Sequence, residues 1–267
     1  MREKLSIYVT YVKIFFKSRS EYRVAFIAGI FANLFCYLVT FLSFWIITNR
    51  FGDIAGWNFA DMSILYGLNL FTYSLAGTLV WYNVFALDRE ITTGRFDLYL
   101  TRPMNLLGQM ICSRFGDTFI GQIIVTLFFL IQAIAYHRSR LSLSICIFIL
   151  LTIIGGVMIQ TGAMILIGAL SFWTMRTGEI GDVFYYNLRE LTHYPLLIYP
   201  KWIQYLLTFL FPWAFINYYP SLIILGKAES GFEQMLGYLS PLVGAFVLSL
   251  SIFVFYLGLR RYASAGN

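Results

Sequence analysis

Long stretches without a single charged side chain alternate along this sequence with short stretches that hold every charge. Asp, Glu, Lys and Arg are absent from 24–48, 62–87, 118–136, 141–175, 202–226 and 234–259. Each stretch exceeds the roughly 18 apolar residues that mark a membrane-spanning helix, since about 20 residues at about 1.5 Å rise cross a hydrocarbon core about 30 Å thick. The pattern predicts an all-α polytopic membrane protein with six transmembrane helices in a single transmembrane domain over 1–267. The fifth stretch is irregular: Pro212, Asn217 and Pro220 interrupt it. Proline removes a backbone donor and clashes with the preceding turn. The expected form is a helix ending near Phe211 followed by a broken or re-entrant segment over 211–226. One kinked helix anchored by Tyr218 and Tyr219 is the alternative.

Composition sharpens this picture. Charged residues make up 12% of the chain and hydrophobic ones 59%, against roughly 25% charged in ordinary soluble domains. A soluble enzyme, a disordered chain and a disulfide scaffold are excluded. The first apolar stretch starts at Val24 and is too long for the h-region of a cleavable signal peptide, so none is expected. Cys36, Cys112 and Cys146 form no spaced cluster, so neither a disulfide nor a metal site is expected.

Charge then sets orientation, because Lys and Arg are biased to cytoplasmic loops. With the N-terminus inside, 15 of the 19 Lys and Arg fall on inner segments. Only Arg50, Arg138, Arg140 and Lys227 fall outside. Both termini are expected in the cytoplasm, and the basic balance follows from topology without a nucleic-acid partner. In this arrangement 88–117 and 176–201 are inner segments and the outer loops are short. Before the first span, Arg2, Ser6, Thr10, Lys13 and Lys17 recur at helical spacing opposite Leu5, Tyr8, Val9, Val12 and Phe16. That reads as an interfacial amphipathic helix over 1–23 lying against membrane lipid, or as a solvated extension of the first span.

Chemistry is sparse. None of the six stretches holds an ionisable Asp, Glu, Lys or Arg, which weighs against an ion-coupled carrier. HExxH, CxxC, GxSxG and the phosphate-binding GxxxxGK[ST] loop are all missing. A non-catalytic chain is expected, with any energy supplied by another subunit. Within 88–105, Arg89, Glu90, Arg95 and Asp97 surround Gly94, and Phe96, Tyr99 and Leu100 would share one side of a short helix. An apolar knob ringed by both charge signs suits docking into a protein groove; an interfacial loop whose aromatics touch lipid is the alternative. Asn33, Tyr37, Asn69, Tyr73 and Gln160 are polar within their spans, either as lining of a transport path or as interhelical hydrogen-bonding groups. Glycines 67, 77, 155, 156, 162 and 168 are candidates for close helix packing. The 178–193 stretch, with mixed charge and several aromatics, has no assigned role.

Residues 86–105, ALDREITTGRFDLYLTRPMN, look like the stretch after the second span of ABC-2 type transporter permeases. Residues 211–227, FPWAFINYYPSLIILGK, resemble the segment before the last span in a branch of small permeases of that family. The resemblance implies a permease subunit of an ATP-binding cassette exporter in a bacterial plasma membrane. It implies a second permease chain, as homodimer or heterodimer, and separate cytoplasmic ATPase subunits that bind the ATP and Mg; the chain itself carries no cofactor. It makes 88–105 the coupling segment, with Arg89, Glu90, Arg95, Phe96, Asp97 and Tyr99 toward the ATPase, and 1–23 the elbow helix. Motion of the coupling segments would then drive alternating access at the permease interface. A membrane scaffold or immunity-type protein acting without ATP is the alternative class. The transported substrate is not legible.

Overall fold

The computed structural model describes Thr10, residues 23–174 and residues 177–263. The amphipathic helix expected over 1–23 therefore lies outside the described residues, apart from Thr10 and Arg23. Among the described residues the chain is helical throughout, the one extended pairing being an isolated bridge between Ile54 and Trp57. Helix α1 covers Arg23–Phe51 and α2 covers Phe59–Val80. A π-helical turn, Trp81–Phe85, joins α2 to α3 at Leu87–Thr92, and α4 (Phe96–Leu100) and α5 (Leu106–Ser113) follow. Then come α6 (Phe119–Tyr136), α7 (Leu143–Ala169), α8 (Thr177–Gly181), α9 (Lys201–Tyr205), α10 (Tyr218–Leu225) and α11 (Gly231–Leu259). Five helical runs are long and apolar enough to cross a membrane: 26–50, 59–92, 119–136, 143–172 and 231–259.

The centre of the bundle is α2. A helix that is apolar all round is a buried one, and α2 buries Leu65, Leu68, Asn69, Thr72, Ser74 and Ala76 alike. Its hydroxyls are satisfied locally: Thr72 and Ser74 donate to the carbonyls of Leu68 and Leu70 at 2.8 and 2.6 Å. By contrast α1 turns Phe31, Phe35, Leu38, Leu42 and Trp45 outward. The outward side of α11 carries Leu242, Phe246, Leu250 and Phe253, as suits a helix bordered by lipid. Packing between α7 and α11 is close because glycines face each other. A Cβ on Gly155 would stand 2.8 Å from the Cα of Pro241, and one on Gly244 would stand 2.5 Å from the Gly155 carbonyl oxygen. Without a hydrophobic drive between helices in lipid, such close approach supplies the attraction.

One end of the bundle is tied by a buried carboxylate. Asp61 and Asn58 form a reciprocal capping box at the start of α2, an arrangement that stabilises a helix by about 1 kcal/mol. Asp61 also accepts from Lys227 Nζ at 2.7 Å, and His137 Nε2 stands 3.0 Å from its other oxygen. Lys227 further donates to the Gly56 carbonyl at 2.6 Å. The loops before α2, after α6 and before α11 thus meet at one acidic group.

The stretch from 177 to 201 departs from expectation, whereas the break expected near Phe211 is present. The sequence keeps 176–201 at the inner face and makes 202–226 a span; in the structure 177–199 runs the length of α2. Gly181 packs against Phe85 beyond the far end of α2, and Arg189 lies over the Tyr73 ring. Thr192 bonds Asn69, His193 meets Tyr66, and Tyr194 meets Phe44 near the end of α1. Lys201 then shares a pocket with Ser230 and Glu233 at the Asp61 end. From there the chain dips inward through 201–210, bends by 72° at Phe211, and rises through 212–225 to Lys227. The reason is physical: hydropathy counts Glu179, Asp182, Arg189, Glu190 and Lys201 as water-facing, whereas in the bundle Arg189 is sheltered by aromatic rings.

This path predicts a labelling pattern in a variant stripped of its native cysteines. In oriented vesicles, Lys201→Cys and Glu229→Cys should react with a membrane-impermeant maleimide from the same side, and Thr93→Cys from the other. Labelling of Lys201→Cys together with Thr93→Cys would instead restore the arrangement expected from hydropathy.

Candidate functional site: a charged end face and a polar strip at mid-depth

At the end opposite Asp61, α3 and α4 form a corner around Gly94, whose φ of +69° suits glycine. Arg89, Arg95, Leu98 and Leu100 are exposed there, Leu98 by 62%. A groove of about 310 Å³ opens beside them, lined by Glu90, Arg95, Leu98, Tyr99, Arg102 and Arg114. Phe96 does not belong to the outward face. It is fully buried, its ring 4.8 Å from that of Tyr262 and 5.6 Å from that of Phe172. Asp97 accepts a hydrogen bond from the Tyr262 hydroxyl at 2.8 Å, and Glu90 is 9% exposed. Tyr99 is half-buried, with its hydroxyl 3.4 Å from that of Ser113. The apolar part of the outward face is therefore Leu98 and Leu100, because Phe96 finds aromatic partners at the ends of α7 and α11.

This corner is coupled to the rest of the bundle. Asn83, in the π-helical turn, donates to the Met110 and Arg114 carbonyls at 2.6 and 3.0 Å. Gly168 of α7 admits the Val84 carbonyl into space that a Cβ would fill. The corner thus contacts α2 through the π turn, and the ends of α7 and α11 through Phe96, Phe172 and Tyr262.

The second arrangement lies halfway along α2. Asn69 is eight residues, about 12 Å, inside Asp61. Its Nδ2 donates to Thr192 Oγ1 at 2.8 Å. Tyr185 donates to Gln160 Oε1 at 2.5 Å. Arg189 is 6% exposed, its guanidinium 3.8 Å from the Tyr73 centroid and 5.7 Å from that of Tyr185. Its Nε and Nη1 are buried without a hydrogen-bond partner. Cation–π attraction strengthens when the cation is desolvated, reaching about 2 kcal/mol, and holds the guanidinium in place of a carboxylate. Asn217 knits the re-entrant part to this strip: its Nδ2 donates to the Leu65 and Thr192 carbonyls at 3.0 and 2.7 Å.

Of the polar residues singled out in the spans, Asn69, Tyr73 and Gln160 are brought together by 185–192. All three are buried, so they hold the strip rather than line an open path. Tyr37, at the middle of α1, is half-buried and within electrostatic reach of Tyr73 and Arg189. Asn33 stays apart, donating to the Gly29 carbonyl of its own helix at 3.1 Å. The open side of the strip belongs to residues that hydropathy assigns to a loop: Val183, Phe184, Asn187 and Glu190, all exposed. Their spacing of one, three and three residues is a helical one, and this is the signal by which the sequence could have disclosed them. Among the described residues no group of His, Cys, Asp and Glu could hold a metal ion.

A family model described as ABC-2 family transporter protein matches residues 34–266. No curated protein and no solved structure matches the chain.

The joint at Asn217 is open to test. Asn217→Leu removes two buried donor interactions and should cost about 1–3 kcal/mol, lowering the thermal midpoint in detergent by several degrees. Asn33→Leu, which loses only a bond within its own helix, should stay within about 0.5 kcal/mol of the parent. Equal midpoints for the two variants would remove Asn217 from its structural role.

Proposed function

The chain belongs to the ABC-2 transporter family, and on that premise we propose that it is the permease subunit of an ATP-binding cassette exporter. It is a multi-pass membrane protein of a family whose members are generally non-catalytic. In this reading two permease chains pair, and separate cytoplasmic ATPase subunits bind and hydrolyse ATP. The five long helices together with 177–199 give an even number of crossings, so both termini face the cytoplasm with the α3–α4 corner. The Lys and Arg distribution supports that sidedness: Arg89, Arg95, Arg102, Arg114, Arg260 and Arg261 gather at this end. The 201–225 part enters from the outer side and returns to it.

The observation that carries the proposal is the α3–α4 corner. It presents the exposed Arg89 and Arg95 and two exposed leucines beside a groove whose wall holds Glu90, while its inner side packs against Phe172 and Tyr262. Arg89, Arg95 and Leu98 take the ATPase surface, with Glu90 and Tyr99 in the groove wall. Phe96 and Asp97 act one step further in, as positioning residues that pass the ATPase's motion to the bundle. Closure of the ATPase pair pushes the corner, α2 moves with its π-helical turn, and the interface between the two permeases switches access. The transport path follows the open side of 183–190, where polar side chains at mid-depth need water or protein as neighbours.

Co-purification tests this directly. The chain expressed with an ATP-binding cassette ATPase should be retained as a complex whose ATP hydrolysis is higher than that of the free ATPase. The triple variant Arg89→Ala, Arg95→Ala, Leu98→Ala should weaken retention at least about tenfold, the size expected when anchor residues are truncated, with an unchanged melting profile. Phe96→Ala should instead lose stability, by about 3–5 kcal/mol for a buried aromatic. A chain that engages no ATPase and moves no substrate would overturn the proposal.

A further inference from the structure

We propose that Glu190 is the recognition point for a cationic group on the transported molecule, which makes the substrate an amphipathic organic cation. This rests on the permease reading above and adds the substrate's charge to it.

Depth is the first support. Glu190 sits between Arg189, which stacks on Tyr73, and Thr192, which bonds Asn69. Tyr73 and Asn69 lie in the interior of α2, and the nearby Tyr37 lies at the midpoint of α1. Glu190 therefore stands near the middle of the apolar layer, and it is exposed. An ionised carboxylate at that depth is not stable against lipid tails and marks a water-filled or protein-lined path.

Its surroundings leave the charge available. Among the described residues Glu190 forms no ion pair, unlike Asp61, whose carboxylate pairs with Lys227. Arg189, its sequence neighbour, does not turn back to it: the guanidinium is buried on the far side against Tyr73 and Tyr185. The positive charge is thereby sheltered and the negative one presented. Tyr66, buried behind the strip, is within electrostatic reach of Glu190. Asn187 adds an exposed amide one turn away. An exposed carboxylate without an ion-pair partner at that depth suits a quaternary or protonated amine, which supplies the opposite charge where water is scarce. An anionic substrate would meet Glu190 first and be repelled, while a neutral one would leave the carboxylate uncompensated.

The test uses the permease–ATPase complex in nanodiscs and three fluorescent amphiphiles with one alkyl tail and one dye. They differ only in the polar end: trimethylammonium, hydroxyl or sulfonate. Binding is read by polarisation after subtraction of empty nanodiscs. The ammonium probe should bind at least tenfold more tightly than the other two. Glu190→Gln should erase that preference, Glu190→Asp should keep part of it, and all three proteins should share one melting midpoint. Equal binding of the three probes, tighter binding of the sulfonate, or a preference that survives Glu190→Gln would overturn the inference. Dissociation of the permease pair in Glu190→Gln would also overturn it, by assigning the carboxylate to a contact between chains. ATPase retention on the same samples separates the two levels. Lost retention with an intact ammonium preference removes the permease reading alone; intact retention without the preference removes the cation site alone.

Discussion

In hydrocarbon no water is at hand to bond a bare amide or to solvate a charge, and this constraint organises the whole chain. It is met by arranging everything else around α2. The 177–199 segment is too irregular and too charged to stand alone in lipid. It contains a π-helical stretch over Asp182–Asn187 and a buried arginine, and it survives at that depth because α2 lies along it. Asn69 takes Thr192, Tyr73 takes the guanidinium, and Asn217 satisfies carbonyls of both elements. A break such as that at Phe211 is tolerated for the same reason, since protein rather than lipid covers it.

The same constraint explains how the two ends differ. At one end three loops converge on Asp61, a buried carboxylate paired with Lys227 and with His137 beside it. Each of those loops is short, and the convergence ties that end together. At the other end Arg89 and Arg95 of the α3–α4 corner are exposed while Glu90 and Asp97 turn inward, and the aromatic cluster of Phe96, Phe172, Phe255 and Tyr262 secures the corner from within.

Much of this was legible in the sequence. Charge-free windows located the long helices, because a window of apolar residues has few other uses. The glycines of α7 were legible as contact points, since Gly155 and Gly162 do meet backbone of α11. Pro212 marked the place where the chain bends. What hydropathy hid was the 177–199 path, for the residues that make it interesting are the ones that disqualify it as a span. Arg189 reads as solvent-facing until Tyr73 and Tyr185, far apart in sequence, are placed around it. Phe96 was misread for the mirror-image reason. Its neighbours in sequence are charged, so it looks exposed, and its ring partners Phe172 and Tyr262 lie 76 and 166 residues downstream. Pattern reports what a residue's neighbours along the chain are; these two residues are defined by neighbours across it.

The placement of 177–199 along the middle of α2 is the point on which the polar strip and the transport path both depend. A paired substitution, Asn69→Cys with Thr192→Cys in a chain without other cysteines, tests it most directly. The two side chains are hydrogen-bonded at 2.8 Å in the native bundle. After mild oxidation in the membrane, denaturation in SDS and alkylation, intact mass should show a chain with both thiols consumed and no adduct added. A chain that carries two alkyl groups after the same treatment, as the single variants would carry one, would contradict the placement.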